Sequence, residues 1–188
     1  DAGAMLLIES DAGGAAAEAE LDGALAACRA AGATRIDRAA TAAEADALRD
    51  ARRKAHWSLE RIGIARMEDV GVPRSRSPEL LAAIERIASE HHVTAGVFGH
   101  AGDGNFHPTF VTDPADPEGA QRVNAARAAM YDAVLELGGT VSGEHGTGLV
   151  KREWLVRQRG EAHVRAMRAI KSALDPLGIL NPGKIFPD

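Results

Sequence analysis

Two strand-like runs joined by a glycine-rich turn lie near the middle of the chain and restrict its fold more than any other feature. TAGVFGH ends at His100 and NFHPTFV begins at Asn105, with AGDG between them. Both runs carry apolar and β-branched residues, and Gly102 and Gly104 permit the backbone angles of a tight turn. So short a connection favours antiparallel strands, because parallel strands need a crossover of a dozen or more residues.

Alanine-rich amphipathic segments surround this hairpin and predict helices. They span about 15–31, 41–60 with Thr41 as N-cap, a third after Ser77, a fourth from 117 to 137, and 161–174. Shorter strand-like segments are Ala4–Glu9 (AMLLIE), Thr34–Asp37 (TRID) and the stretch ARMEDVGVP. Because helices and strands are intermixed around one hairpin, we expect an α+β fold, with an antiparallel or mixed sheet and helices packed on one face.

Composition excludes several classes of protein. The chain has 188 residues and a net charge of −5, so it lacks the basic surface of a nucleic-acid-binding domain. Cys28 is the one cysteine and cannot form an internal disulfide. The longest apolar run is too short to cross a bilayer, and no signal peptide is evident. We therefore expect a cytoplasmic protein, attached to a membrane at most peripherally through partner subunits.

The histidines of the hairpin are candidate metal ligands. If His100 and His107 flank a loop from Ala101 to Phe106 and face each other directly, their Cβ atoms lie about 4.5–5.5 Å apart. Two imidazoles at that distance can hold one metal ion. A turn alone does not require imidazole, whereas Asp103 and Asn105 are ordinary turn-forming residues.

A second glycine-rich stretch, SGEHGTG, supplies a third candidate ligand. Glu144 and His145 are neighbours, and in an extended chain neighbours point to opposite sides. We therefore expect Glu144 to complete the metal site while His145 stays free to act as a general base. Two histidines and one carboxylate with open positions suit Zn²⁺, Mn²⁺ or Fe²⁺.

Five sequence blocks together resemble the C-terminal domain of FAD-linked oxidases of the vanillyl-alcohol-oxidase type, a family whose members oxidise glycolate, D-lactate or D-2-hydroxyglutarate. The blocks are ARRKAHWSL, MEDVGVPRSRSPEL, GHAGDGNFHP, SGEHGTGLVKREWL and IKSALDPLGILNPGKIF. They cover nearly the whole chain, in the family's order. The resemblance implies a cap domain with a ferredoxin-like antiparallel sheet and flanking helices.

The resemblance also implies roles for single residues. It assigns a divalent metal to His100, His107 and Glu144, and the general base to His145. Arg52 resembles an arginine that binds the substrate carboxylate, and Asn181 lies in a segment that returns to the flavin-binding domain. Further candidates for substrate contacts are Asn105 and Lys151, although a turn-former and a solvated helix charge are equally good readings of these two residues.

The implied cofactor is FAD, bound mainly by an N-terminal domain that these residues do not contain. The chain starts without methionine and reads as an excised domain, residues 1–188, whose tail 175–188 is expected to dock on the flavin domain. Alone it should not oxidise a substrate. Enzymes for hydroxyglutarate have a lysine where Met67 stands and an asparagine where Thr109 stands, so a small monocarboxylic 2-hydroxy acid fits better. The sequence leaves the electron acceptor open and is compatible with a homodimer.

Two other functions fit parts of the same pattern. A metal-dependent hydrolase would use the three ligands to activate water and would turn over without flavin. A non-catalytic metal-binding or interaction module would bind metal or a partner and would have no flavin-binding half.

Overall fold

The computed structural model describes residues 3–186. The chain forms two compact units, and the first, Asp1–Trp57, consists mostly of two helices. Helix α1 spans Gly14–Ala30 and α2 spans Ala42–Glu60. As predicted, Thr41 caps α2, because its Oγ1 accepts the Glu44 amide at 3.2 Å. This interaction satisfies one of the amides that a helix start leaves without a partner.

The strands predicted at Ala4–Glu9 and Thr34–Asp37 are wrong, because neither segment forms a strand. Met5 and Leu6 are 73% and 66% exposed. A strand needs a neighbouring strand for its backbone groups, and neither segment is paired in a sheet. An apolar run of residues therefore does not form a strand unless another strand lies beside it.

The second compact unit, Ser58–Asp188, contains the sheet. Strand β4, Asn105–Thr112, lies in the middle, and β3, Thr94–His100, pairs with one of its edges. Strands β1, Ile64–Met67, and β2, Val70–Gly71, follow one another along its other edge. All pairs are antiparallel, in agreement with the expected α+β fold.

The edge formed by β1 and β2 keeps one register along β4. Met67 pairs with Thr109 and Val70 pairs with Phe106. Two residues lie between these pairs on each strand, so position 68 faces position 108 and position 69 faces position 107. The Glu68 amide accordingly donates to the Pro108 carbonyl at 2.8 Å. The same register puts Asp69 opposite His107.

Helices cover the face of the sheet that carries Val70, Phe106 and Phe110. Helix α3 spans Ser77–Glu90, α4 spans Gly119–Glu136, and the shorter α5, Arg152–Arg159, and α6, Glu161–Leu174, follow. The core between sheet and helices is formed by Leu80, Ile84, Ile87, Val123, Ala126, Met130 and Val134, all at most 3% exposed. The other face of β4 carries His107 and Thr109, which are also buried, and Asn105, which is partly exposed.

Glu68 and Asp69 are adjacent buried acids with different surroundings. Glu68 accepts a hydrogen bond from the buried Tyr131 hydroxyl and pairs with Arg127, both on α4. Burial and the Glu68 charge raise the pKa of Tyr131, so its phenol remains a donor. Successive residues of a strand point to opposite faces, so Asp69 is directed away from this helix layer.

Candidate metal centre

The hairpin turn is shorter than expected. Phe98 pairs with His107 and His100 pairs with Asn105, which leaves a turn of four residues, 101–104. The prediction that the two histidines face each other directly is therefore wrong. Phe106 is 6% exposed and packs in the core, so it belongs to β4 and not to the loop.

The two histidines nevertheless lie on the same face of the hairpin, as diagonal neighbours. His100 is opposite Asn105, which is two residues from His107 and so shares its face. The imidazole ring centres are 5.7 Å apart, with the rings perpendicular. Diagonal pairs of long side chains remain within reach of each other.

The glycine-rich loop after α4 is attached beside this face. Gly71 of β2 and Thr140 exchange two backbone hydrogen bonds, of 2.9 and 2.7 Å, which fix where the loop begins. Glu144 Oε1 then lies 3.2 Å from His107 Nε2. One ligand atom each from His100, His107 and Glu144 lies within 4.8 Å of the other two, a grouping that could hold a metal ion.

His145 lies on the same side of the loop as Glu144, so the expectation that they point to opposite sides is wrong. Its ring stacks on that of His107 with centres 5.1 Å apart and planes 14° apart. Its Nε2 is 3.7 Å from Glu144 Oε1. The loop is bent and not extended here, because the amides of Glu144 and His145 both donate to one oxygen, Asp69 Oδ2, at 2.9 Å each.

Asp69 is the residue at this site that sequence reasoning missed. It is fully buried, and its Oδ2 also accepts the Ser142 hydroxyl at 2.9 Å. Burial acts to raise the pKa of Asp69, but the three hydrogen bonds and the charge of Lys151 hold it below the ordinary value. The sequence feature that could have identified Asp69 is its position in MEDVGVP. The alternation of this segment shows which side chains share a face of the sheet, but it places Asp69 beside His107 only when the register with β4 is known.

His107 has the surroundings of a neutral imidazole. It is 6% exposed, and burial, reinforced by His145 and His100, lowers its pKa despite the opposing charges of Asp69 and Glu144. A neutral imidazole keeps a lone pair on one nitrogen, which is the form that binds metals. His107 can therefore serve as a ligand near neutral pH.

Lys151 and Asn105 lie close to the cluster. The Lys151 ammonium is buried and donates to the Asp69 backbone carbonyl at 2.7 Å, and burial lowers its pKa against the pull of Asp69 and Glu68. Asn105 Oδ1 is buried with no hydrogen-bond partner in residues 3–186. Asn105 and Glu144 line an open groove of about 870 Å³.

The two other predicted site residues lie elsewhere in the chain. Arg52 is on α2 and belongs to the first unit. Asn181 is in the segment after α6, has a φ of 47° and is exposed. No helix in the described part of the chain is both long and apolar enough to span a membrane.

Comparison with known proteins agrees with this architecture. A family model described as "FAD linked oxidases, C-terminal domain" matches residues 1–185. A glycolate oxidase subunit of Bacillus subtilis is 41% identical over 97% of the chain, which covers 39% of that protein. A probable mitochondrial D-lactate dehydrogenase of Danio rerio is 38% identical over 63% of the chain and 24% of its own length.

A mitochondrial D-lactate dehydrogenase (cytochrome) of Saccharomyces cerevisiae is 36% identical over 73% of the chain and 24% of its own length. The chain thus spans about two fifths or less of each of these relatives. The match to the family model extends over both compact units. The chain therefore belongs to the FAD-linked oxidases and corresponds to their C-terminal domain.

Proposed function

We propose that this chain is the substrate- and metal-binding domain of an FAD-dependent 2-hydroxy-acid dehydrogenase or oxidase. Its substrate is glycolate or D-lactate, which is oxidised to the 2-oxo acid. The observation that carries the proposal is the convergence of His100, His107 and Glu144, with the imidazole of His145 beside them. The names of the relatives, glycolate oxidase and D-lactate dehydrogenase, support the choice of substrate.

The residues present fit a divalent metal. Two imidazoles and one carboxylate form a common ligand set for Zn²⁺, Mn²⁺ and Fe²⁺ and leave coordination positions open for a substrate. The ligands come from a hairpin and a loop that the structure brings together, and His107 is buried in a form able to bind. His100 and Glu144 are exposed, which leaves the centre accessible from solvent.

Each cofactor contributes one kind of chemistry. A divalent metal held by His100, His107 and Glu144 would supply positive charge that favours loss of the substrate hydroxyl proton, and FAD would supply the acceptor for the hydride. His145 Nε2 accepts the hydroxyl proton, since imidazole exchanges protons near neutral pH. Asn105 orients the substrate from the wall of the groove. The family resemblance assigns the substrate carboxylate to Arg52, through a two-point contact.

The face around His107 favours a small monocarboxylate. Met67 and Thr109 are directly paired across β1 and β4, and Thr109 shares the face of His107 because the two are alternate residues of one strand. Thr109 is fully buried and its hydroxyl donates to the His107 carbonyl, so this pair offers no positive charge for a second carboxylate. Lys151 is not assigned to the substrate, because its ammonium is directed to the Asp69 carbonyl.

FAD is held mainly by an N-terminal domain of the complete protein, on which the segment after α6 docks. Leu174, Leu177 and Ile179 in and after α6 are between 69% and 80% exposed, an apolar surface that such a domain would cover. Asn181 lies in this segment and contacts the flavin-domain side.

Substitution of the base tests the proposal. In the complete protein that carries this chain, we expect His145→Ala to lower kcat with glycolate or D-lactate by roughly 10²–10⁴-fold while metal and FAD contents stay unchanged. His163→Ala is the matched control, because His163 is exposed on α6. Turnover and metal analysis on the same preparations provide the measurement.

Two results would contradict the proposal. Near-normal turnover of His145→Ala would remove His145 from the base role. Turnover of an ester or amide by flavin-free protein would instead support a metal-dependent hydrolase built on the same ligands.

A further inference from the structure

We infer that Asp69 is a positioning residue for the metal centre: it holds the loop that carries Glu144 and selects the tautomer of His107. This inference deepens the proposed function and rests on it for the identity of the centre. Asp69 is fully buried and lies opposite His107 across the strands. Its carboxylate lies between the loop, which donates three hydrogen bonds to it, and His107 of the hairpin, whose Nδ1 is 3.9 Å away.

The two carboxylate oxygens of Asp69 have separate partners. Oδ2 accepts all three hydrogen bonds from the loop, from Ser142 Oγ and from the amides of Glu144 and His145. Oδ1 makes no hydrogen bond in residues 3–186 and lies 3.9 Å from His107 Nδ1. The Nδ1 atom is likewise buried without a hydrogen-bond partner in the described chain.

Asp69 Oδ1 and His107 Nδ1, both buried without partners in the described chain, determine which nitrogen of the His107 ring carries the proton. An ionised carboxylate can only accept hydrogen bonds, so a stable arrangement places the proton of His107 on Nδ1, facing Asp69 Oδ1. The lone pair is then on Nε2, 3.2 Å from Glu144 Oε1. Glu144 is exposed, so water can hydrogen-bond its carboxylate, whereas the buried Asp69 Oδ1 has no hydrogen-bond partner in residues 3–186 unless Nδ1 carries the proton. Metal-binding histidines commonly donate their other nitrogen to a carboxylate in this way.

Asp69 therefore couples the two parts of the centre through one buried group. A shift of the carboxylate would move the backbone of Glu144 and His145 and the ring of His107 together. Lys151 holds Asp69 in place from the other side, through the 2.7 Å hydrogen bond to its carbonyl and with Nζ 3.8 Å from Oδ2.

The test compares Asp69→Asn with Glu68→Gln in the complete protein. Asn can still accept hydrogen bonds from the loop, but its NH₂ group facing His107 Nδ1 requires the opposite tautomer. Glu68→Gln makes the same change of charge at the adjacent buried acid, which faces α4. The probe is Zn²⁺ alone, with its Kd measured by competition with a chromogenic chelator, together with ¹⁵N NMR of the histidine rings in metal-free protein.

The wild type should show His107 protonated on Nδ1. Asp69→Asn should weaken Zn²⁺ binding by roughly 10–100-fold and change the His107 ring signals. Glu68→Gln should keep both properties of the wild type even though it melts at a lower temperature. Unchanged Zn²⁺ affinity and ring signals in Asp69→Asn would overturn the inference.

The ring measurement on the wild type needs no variant to fold. His107 protonated on Nε2 in the metal-free wild type would also overturn the inference. A wild type that binds no Zn²⁺ but carries the proton on Nδ1 would support the positioning by Asp69 and contradict the metal-binding part of the proposed function. The two ideas can thus fail separately.

Discussion

At the scale of single residues, the buried carboxylate of Asp69 and one glycine of the loop, Gly143, support the geometry of the candidate centre. Asp69 collects the hydrogen bonds of the loop, and Gly143 provides the space in which loop and hairpin meet. A Cβ atom at Gly143 would lie 2.5 Å from Asn105 Oδ1 and 2.8 Å from Asp69 Oδ1. Asp69 cannot yield easily, because it is fully buried and its other oxygen accepts three hydrogen bonds.

We therefore expect Gly143→Ala to displace the loop and weaken metal binding. The displacement should cost about 1–3 kcal/mol, the range typical of overpacking, and reduce the affinity for Zn²⁺ by roughly tenfold or more. Gly102→Ala is the matched control, since a Cβ at Gly102 meets no atom within 4 Å. Chelator competition measures both variants, and equal Zn²⁺ affinities would contradict the steric role of Gly143.

Residue types and spacing indicated the ligands but not their geometry. His100, His107 and Glu144 stood out because imidazole and carboxylate are not needed in a glycine turn. Their arrangement depended on the burial of Phe106, which shortens the turn and makes the two histidines diagonal. Asp69 escaped notice because its relation to His107 is a matter of register between distant strands.

At the scale of elements, the sequence predicted the helices better than the strands. The final helix, Glu161–Leu174, has its predicted bounds, because an acidic start and the Asp175–Pro176 pair mark its ends locally. Helix periodicity is likewise a local property. The apolar segment Ala4–Glu9 shows the limit: β-propensity depends on a neighbouring strand, which no local pattern supplies.

Asp175 organises the segment that follows α6. Its carboxylate pairs with Lys171 and accepts the amides of Ile179 and Leu180 at 3.1 and 3.0 Å. The hydrogen bond from Lys171, and then those from the Leu180 and Ile179 amides, outweigh burial and hold the pKa of Asp175 below its ordinary value of 3.8. The pKa of Asp175 is lower in the folded chain than in the unfolded chain. The stabilisation that its carboxylate gives to the folded chain is therefore present above about pH 4 and is lost as pH falls through the folded pKa.

We expect the amides of Ile179 and Leu180 to be protected from hydrogen exchange at pH 5 to 7 and to lose protection below about pH 4. Asp175→Asn should lower their protection at pH 6 and remove most of this pH dependence. Glu153→Gln, an exposed change on α5, serves as the control. Hydrogen exchange is measured by mass spectrometry and corrected for the pH dependence of the intrinsic rates. A wild-type pH profile in Asp175→Asn would contradict the role of Asp175.

At the scale of the whole molecule, this chain corresponds to the C-terminal domain of FAD-linked oxidases. It covers 39% of the Bacillus subtilis glycolate oxidase subunit, and the proposed reaction needs FAD in addition to the residues of this chain. The side chains of Leu174, Leu177 and Ile179 are between 69% and 80% exposed, which is the basis for the proposal that this segment docks on a flavin-binding domain. The sequence blocks predicted this relation, whereas periodicity and composition alone reached only the α+β class.

The most direct test of the central claim is an anomalous-diffraction measurement at the metal absorption edge on crystals of the complete protein grown with Zn²⁺. We expect one strong peak per chain, about 2.0–2.2 Å from nitrogen atoms of His100 and His107 and from a carboxylate oxygen of Glu144. The ring of His145 should lie beside this peak without binding to it. A peak at other residues, or no peak here in metal-saturated crystals, would contradict the claim that the hairpin and the loop form one metal centre.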